Sequence, residues 1–183
     1  MKLKNAIYLL AASAMFTGAQ PVFAHVTLQD QVAAAATGYR AVLRVGHGCE
    51  GAATVGMRVT IPEGFNGAQP MVKPGWKITT RIGKLAVPYV SHGTTYTEGV
   101  QEITWTANTV ADALPDAHYD EFVLRGTTPQ KPGPLWFKVV QLCEKGANNW
   151  VEVPATGTST KGLKMPAALL EVLDVQPAAS HNH

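Results

Sequence analysis

The sequence lacks the signatures of the most familiar catalytic and membrane-spanning proteins. It contains no Gly-x-Ser-x-Gly elbow, no His-Glu-x-x-His pair and no phosphate-binding loop, which mark serine hydrolases, zinc peptidases and nucleotide-binding enzymes. No apolar run reaches the roughly 20 residues that span a bilayer. Lysine and arginine do not cluster, so no nucleic-acid or anionic-membrane partner is indicated. We therefore expect a protein without enzymatic turnover and without a membrane span in its mature chain.

What the sequence does contain begins with an export signal. Lys2 and Lys4 precede an apolar stretch from Ala6 to Phe16, and small residues at Val22 and Ala24 fit the cleavage rule of a signal peptidase. We predict that residues 1–24 form a cleaved signal peptide and that the mature protein is periplasmic or secreted. The alternatives are an uncleaved anchor and an ordinary buried helix.

Cleavage after Ala24 would change two properties of the chain. It removes two lysines and no acid, so the 15 basic and 13 acidic residues of the full sequence become 13 of each. It also leaves His25 with a free α-amine beside its imidazole. Two nitrogen donors on one residue can close a chelate ring on a metal ion, and this donor set suits Cu(II). The alternative is that a histidine follows the cleavage site by chance.

Only two cysteines are present, Cys49 and Cys143. Because they lie far apart in a chain expected to be exported, we predict that they form one disulfide. A copper or redox thiol is the alternative. It has less support, since neither cysteine belongs to a Cys-x-x-Cys pair and no histidine follows Cys143 closely.

Hydrophobic residues recur with a period of two from Val26 to about Val153, as in half-buried strands, and glycine- and proline-rich turns separate the segments. The pattern predicts an all-β protein, an immunoglobulin-like or cupredoxin-like β-sandwich of about seven to nine strands in residues 25–155. Residues 156–183 are expected to form a linker, a segment from Leu163 to Val175 that docks as a strand or short helix, and a flexible tail. Strands are predicted at 39–45, 55–61, 77–82, 101–106, 119–125, 135–142 and 150–153, and weak helical signal at 33–36, 110–114 and 167–173.

The remaining histidines have simpler explanations than metal binding. His47 lies in a Gly-His-Gly-Cys loop, where a turn residue is more common than a ligand, although metal binding stays open. His92 lies in a loop, and His118 precedes a strand, where a surface role and a role beside a metal site are both open. His181 and His183 lie two residues apart in the tail and could hold a divalent ion weakly.

An ordered series of short motifs resembles the YcnI-like copper-binding domain family over nearly all of the mature region. The motifs are Ala-His-Val-Thr-Leu at 24–28, His-Gly-Cys at 47–49, Val-Thr-Ile-Pro-Glu-Gly at 59–64, Lys-Pro-Gly-Trp at 73–76, Ile-Thr-Trp at 103–105, Asp-Glu-Phe at 120–122, Gln-Leu-Cys at 141–143 and Trp150. Several motifs in one order are far more specific than any one of them alone. The segment from Ala86 to Gly99 is longer than the connection usual in the family, and we expect it to form an extra hairpin.

The resemblance implies a periplasmic or extracellular sandwich that holds Cu(II) through a single-histidine brace. In this interpretation the α-amine and imidazole of His25 bind the metal, Glu121 adds a carboxylate, and Trp150 packs beside the site. Trp136 is the second choice for the indole and Asp120 for the carboxylate. Many family members end in a membrane anchor, whereas this sequence ends in the histidine-containing tail, so membrane attachment is not implied.

Residue patterns alone leave the roles of these side chains open. Glu121 falls on the strand face opposite Phe122 and Leu124, where it could pair with Arg125 or be solvated instead of binding a metal. Trp150 could belong to the core.

The function that these features favour is Cu(II) binding in copper homeostasis, as a copper chaperone or store. The partners would be the copper ion and another periplasmic copper protein or a membrane copper transporter. One alternative is an oxidative copper enzyme of the amino-terminal-histidine type, such as a polysaccharide monooxygenase, which needs a second histidine from His47 or His118. The other is a metal-free adhesion or assembly sandwich.

Overall fold

Two β-sheets form the fold of residues 25–174, the part of the chain that this computed structural model describes. Eleven strands and one short 3-10 helix, Val110–Asp112, make up the regular structure of these residues. The predicted signal peptide, residues 1–24, and the tail with His181 and His183 lie outside the described residues.

The smaller sheet has four strands in the order β1-β3-β8-β5, all antiparallel to their neighbours. Its strands are β1 (Thr27–Leu28), β3 (Gly38–Val45), β8 (Asp120–Thr127) and β5 (Asn66–Pro70). Because β1 is an edge strand and begins two residues after His25, this residue lies at one end of the sandwich.

The larger sheet has seven strands in the order β2-β11-β9-β4-β7-β6, with β10 also paired to β9. Its strands are β2 (Val32–Ala34), β4 (Thr54–Thr60), β6 (Trp76–Ser91), β7 (Thr94–Ala107), β9 (Gly133–Cys143), β10 (Ala147–Trp150) and β11 (Ala168–Leu173). All of these pairs are antiparallel except β2 with β11.

The core lies between the sheets, and the period-two pattern explains it. In β3, Tyr39, Ala41, Leu43 and Val45 are buried while Arg40 is exposed, because alternate side chains of a strand point to opposite faces. The same alternation in β8 and β9 buries Phe122, Leu124, Leu135, Phe137 and Val139. Trp76 and Trp105 pack edge-on against Phe122 at centroid distances of 5.0 and 5.8 Å.

The predicted fold class is confirmed, since the described chain is an all-β sandwich with one disulfide. The strand count of seven to nine was too low, because β1 and β2 have only two and three residues and carry too few positions for a periodic signal. Two of the segments with helical signal are strands instead, Val32–Ala34 and Ala168–Leu173.

Two predicted boundaries were also wrong. The strand expected at 150–153 is β10, which ends at Trp150. The sandwich does not end at residue 155, because β11 pairs with both β9 and β2 and buries Leu170 and Val172 in the core. The docking segment of the prediction is therefore a strand within the larger sheet.

The segment from Ala86 to Gly99 forms the expected hairpin, the outer part of β6 and β7. A two-residue turn at His92 and Gly93 connects the strands, and both residues have positive φ, 48° and 77°. Positive φ at both central positions is the geometry that fits the twist of an antiparallel hairpin. Tyr89 and Tyr96 stack across the hairpin with ring centroids 5.1 Å apart.

The predicted disulfide is present. Cys49 and Cys143 are bonded, with Cα atoms 6.0 Å apart, and they are 94 residues apart in sequence. Cys143 ends β9, whereas Cys49 lies in the loop between β3 and β4. The bond therefore fixes the loop that contains His47 to the end of a core strand.

Candidate metal site

His25 lies at the end of the sandwich where β1 begins and β3 ends. Its half-buried imidazole contacts the indole of Trp150, with ring centroids 5.4 Å apart and an edge-on angle of 61°. Val26 and Leu28 are buried in the core, which anchors the backbone immediately after the histidine. The nitrogen of His25 is a peptide nitrogen while Ala24 precedes it, so it becomes an amine only on cleavage at that bond.

Trp150 is the indole that the structure places beside His25. It is fully buried at the end of β10, and its Nε1 donates a hydrogen bond of 3.1 Å to Oε1 of Gln141. The second choice, Trp136, lies opposite Leu169 in β11 and five residues before Gln141 along β9. Because a strand rises about 3.3 Å per residue, Trp136 is well removed from this end of the sandwich.

Gln141 connects the elements around Trp150, and sequence reasoning assigned it no role. The side chain is 1% exposed, and its Nε2 donates to the backbone oxygen of His47 at 2.7 Å and to Oγ1 of Thr54 at 2.8 Å. Its Oε1 accepts from Trp150. A signal was available, because Gln141 occupies an inward-facing position in the alternation of β9, where an unpaired amide would be costly.

His47 lies in the loop after β3, half-buried, with Nδ1 2.6 Å from the backbone oxygen of Gly48. The amide nitrogen of Gly48 donates to Oδ1 of Asp116 at 2.9 Å. A Cβ at Gly48 would lie 1.9 Å from the backbone oxygen of Ala52, so only glycine fits between the histidine and the disulfide. Hydrogen bonds within the loop and to Asp116 therefore hold the His47 segment in place. The prediction of a simple turn residue did not include these contacts.

Glu121 lies on the outer face of the smaller sheet. It is opposite Arg44, which in turn is opposite Thr27, so these three residues form one row across β8, β3 and β1. Neighbouring strands are about 4.8 Å apart, which puts the Cα atoms of Thr27 and Glu121 roughly 10 Å from each other. The structure brings Glu121 to the end of the sandwich that holds His25 but places it two strands away.

The carboxylate of Glu121 accepts a hydrogen bond of 2.6 Å from the hydroxyl of Tyr119. Partial desolvation, together with this hydrogen bond and the charge of Glu121, raises the pKa of Tyr119. The alternative pairing of Glu121 with Arg125 is not formed, because the Arg125 guanidinium donates twice to Oε1 of Gln69, at 2.9 and 2.8 Å.

Asp120, the second choice for the carboxylate, is already paired. Its Oδ2 lies 2.6 Å from Nζ of Lys73, and its Oδ1 accepts from the amide nitrogen of Glu121 at 2.7 Å. The Lys73 ammonium also donates to the backbone oxygen of Glu121 and lies 4.7 Å from the centroid of the Phe122 ring. Asp120 could bind a metal only by giving up its ion pair with Lys73. The Glu121 carboxylate does not take part in that ion pair.

The other described histidines differ in position. His92 occupies the tip of the β6–β7 hairpin, and His118 is exposed in the loop before β8.

Residues 25–174 contain no cluster of three or more His, Cys, Asp or Glu side chains arranged to hold a metal ion. A site at His25 would thus use the α-amine and at most two side chains. This nitrogen and oxygen donor set fits Cu(II).

The structure has no helix long and apolar enough to cross a membrane within residues 25–174.

Comparison with known proteins identifies a family and a fold. A family model described as a domain of unknown function, DUF1775, matches residues 25–172. Three solved chains match. One is an uncharacterized protein from Nocardia farcinica with an immunoglobulin-like fold, 23% identical, with a TM-score of 0.62 over 81% of this chain and 97% of that one. No curated protein matches the sequence. The likeness to the solved structure shows the immunoglobulin-like fold.

Proposed function

We propose that this chain, which belongs to the DUF1775 family, is an exported Cu(II)-binding protein that acts as a copper chaperone or store without turnover of its own. The metal would be held by the α-amine and imidazole of His25 and by the carboxylate of Glu121, with Trp150 packed beside them. The motif resemblance to YcnI-like copper-binding domains supports this assignment.

One observation carries the proposal, the contact between His25 and the buried indole of Trp150. The indole is fixed because its N–H is bonded to Gln141, and a fixed ring restricts the orientation of the imidazole packed against it. Restricting a ligand before metal arrives reduces the entropy lost on binding. The family match also begins at His25, the residue that signal cleavage would expose.

The donor set suits transfer of copper as cargo. One brace and one carboxylate leave coordination positions for water or for a ligand of a recipient protein, so the ion should exchange. Reduction to Cu(I) would favour release, because Cu(I) prefers softer donors such as thiolate and thioether. The recipient would be another periplasmic copper protein or a membrane copper transporter.

The mature protein should bind one equivalent of Cu(II), with an affinity that falls as the pH is lowered. The amine has a reference pKa of about 7.7–8.0 and must lose its proton to bind. Below roughly pH 7.5 the affinity should therefore drop about tenfold per pH unit. Equilibrium dialysis with a competing chelator between pH 6 and 9 measures both quantities, and a protein that retains no Cu(II) at any of these values would refute the proposed function.

Replacing the carboxylate should weaken binding selectively. Glu121→Gln keeps the size of the side chain and removes its charge, and the copper affinity should fall about tenfold. Asp120→Asn is the matched control, because Asp120 is the next residue and its carboxylate is paired with Lys73. It should change the affinity by less than about twofold. A larger loss in Asp120→Asn than in Glu121→Gln would show that the carboxylate is wrongly assigned.

A further inference from the structure

We propose that the outer face of the smaller sheet is a docking site for an extended, acidic segment of a partner protein, with Arg40 and Arg125 as the side chains that bind its carboxylates. The site is separate from the candidate metal site. Arg40 comes four residues before Arg44 on β3, which is roughly 13 Å at a rise of about 3.3 Å per residue. The inference therefore does not depend on copper binding.

The strand register brings the two arginines together. Arg40 on β3 is directly opposite Arg125 on β8, and Arg125 is opposite Gln69 on β5. The residues next to the arginines, Ala41 and Leu124, are buried in the core, so the arginine side chains point to the outer face. We call Arg40, Arg125 and Gln69 the arginine row. Directly opposed residues have Cα atoms about 4.5–5.5 Å apart, so one ligand can contact both guanidinium groups.

Both guanidinium groups keep hydrogen-bond donors for a ligand. Arg125 donates from Nε and Nη2 to Oε1 of Gln69, at 2.9 and 2.8 Å, which orients the planar group and leaves Nη1. The Arg40 guanidinium has no hydrogen bond or ion pair to the described residues. Like charges directly opposite each other on adjacent strands are unfavourable. A carboxylate bound between the two arginines removes this repulsion, and its two oxygens match the fork of a guanidinium group.

The arginine row lies between two concave surfaces and lines both. On one side is a groove of about 1380 Å³ between the outer face and the tip of the β6–β7 hairpin. On the other side is a pocket of about 330 Å³, where Pro70, Met71 and Val123 supply apolar lining. Lys131 adds a further cation to the groove, and no Asp or Glu belongs to the lining of either surface among the described residues. The surface therefore favours a ligand with negative charges and an apolar group.

The shape favours an extended polypeptide over other anions. Within β8 alone the two surfaces run from Val123 to Thr127, roughly 13 Å at about 3.3 Å per residue. The groove also exceeds the roughly 300–1,000 Å³ of small-molecule sites. The apolar pocket fits an aliphatic side chain, which polysaccharides and nucleic acids lack. Tyr96, stacked on Tyr89 and 41% exposed, adds an aromatic ring of the kind enriched at protein interfaces.

Fluorescence anisotropy with three labelled eight-residue peptides tests the site in the mature protein without added metal. The first peptide contains four glutamates and one leucine, the second replaces the glutamates with glutamine, and the third replaces the leucine with serine. We expect the first peptide to bind. The affinity should be at least about tenfold lower for the glutamine peptide and about threefold lower for the serine peptide. Because these comparisons use the parent protein, they do not depend on the folding of any variant.

Variants of the protein locate the binding surface. Arg40→Gln/Arg125→Gln should lower the affinity for the glutamate peptide at least about tenfold. Arg58→Gln/Lys138→Gln is the matched control, because it removes two exposed cations from adjacent strands of the larger sheet. It should change the affinity by less than about twofold. Met71→Ser should weaken the leucine peptide about threefold and leave the serine peptide unchanged.

Several outcomes would overturn the docking site. One is no binding of the glutamate peptide at low salt up to about 1 mM, and another is equal loss in the two double variants. Vesicles of phosphatidylglycerol and dextran sulfate are tested in parallel by co-sedimentation and anisotropy competition. Tighter binding of either one than of the peptide, lost in Arg40→Gln/Arg125→Gln, would assign the arginine row to a lipid surface or a polysaccharide instead. The samples contain no copper, so failure here leaves the proposed function standing, and a protein that binds no Cu(II) leaves this site standing.

Discussion

The mature protein extended by the dipeptide Ala-Pro before His25 should bind no Cu(II) at concentrations at which the unextended protein binds one equivalent. The extension turns the α-amine of His25 into a peptide nitrogen and places the new amine beyond a proline, whose nitrogen has no hydrogen to lose and cannot bind the metal. A chelate ring between an amine and the imidazole therefore cannot close. Loss of the chelate ring should exceed the 10- to 100-fold effect typical of residues that only orient ligands, and we expect copper affinity to fall by more than about 100-fold. Competition titration against a chelator of known affinity measures the loss.

The control for this experiment is the same dipeptide added after His183, which changes the length equally and leaves the amine of His25 intact. Intact-mass measurement must establish the first residue of each sample, because incomplete processing would also convert the amine of His25 into a peptide nitrogen. An extended protein that keeps its copper at unchanged affinity would show that the amine is not a ligand. Any site would then consist of side chains alone.

Removal of the disulfide should have the largest effect on stability. The double variant Cys49→Ala/Cys143→Ala opens a loop of 94 residues, and the chain-entropy model gives a loss of about 4.7 kcal/mol in the free energy of unfolding. Both cysteines are buried, at 4% and 8% exposure, so loss of packing adds to this figure. Urea unfolding of the parent and the variant measures the difference.

A reductant provides the matched control for the disulfide prediction. It should lower the unfolding free energy of the parent towards that of the double variant and leave the variant unchanged. A difference between parent and variant below about 1 kcal/mol would contradict the prediction, and would mean that the unfolded chain is already restricted in other ways.

Much of the fold could be predicted from the sequence because its determinants are local. The alternation of Ala41, Leu43 and Val45 with arginines specifies a strand with one buried face, and two cysteines in a chain expected to be exported leave one pairing. The predictions that failed concern features that depend on nonlocal strand pairing. A short apolar run such as Ala168–Leu173 reads equally as helix or strand, and only its pairing with β9 and β2 decides between them.

The candidate site was less predictable for the same reason. His25 was singled out from the cleavage site, and Trp150 was chosen over Trp136 by resemblance; the contact between the two rings became visible only in the structure. The contacts of the His47 loop with Asp116 and Gln141 depend on which strands pair and in which register, and a single sequence does not contain this information. Gln141 was missed because a glutamine between apolar residues was not treated as a buried hydrogen-bonding group.

An oxidative copper enzyme of the amino-terminal-histidine type, the alternative to a copper carrier, would need a second imidazole from His47 or His118. An amine with two imidazoles is the donor set that the amino-terminal-histidine oxidases require, so the count of donors does not by itself separate the two classes. Peroxide formation by the reduced, copper-loaded protein is the measurement that separates them. Oxygen activation would move the protein to the enzymatic class, whereas its absence would leave the carrier as the better description.

The long β6–β7 hairpin also has a consequence for solubility. Among the described residues, β6 is an edge strand of the larger sheet, so one side of this 16-residue strand presents backbone groups to solvent. Ile82, Val87 and Val90 are exposed along it, at 64%, 69% and 69%, a composition that invites intermolecular strand pairing and fibrous aggregation. The strand opposes this with exposed cations, a proline that lacks the amide hydrogen, and register irregularities that distort the edge. These features are Lys77, Arg81, Lys84, Pro88 and the shifts between Arg81 and Ile82 and between Lys84 and Tyr89. These features oppose edge-to-edge pairing of β6 between copies of the chain.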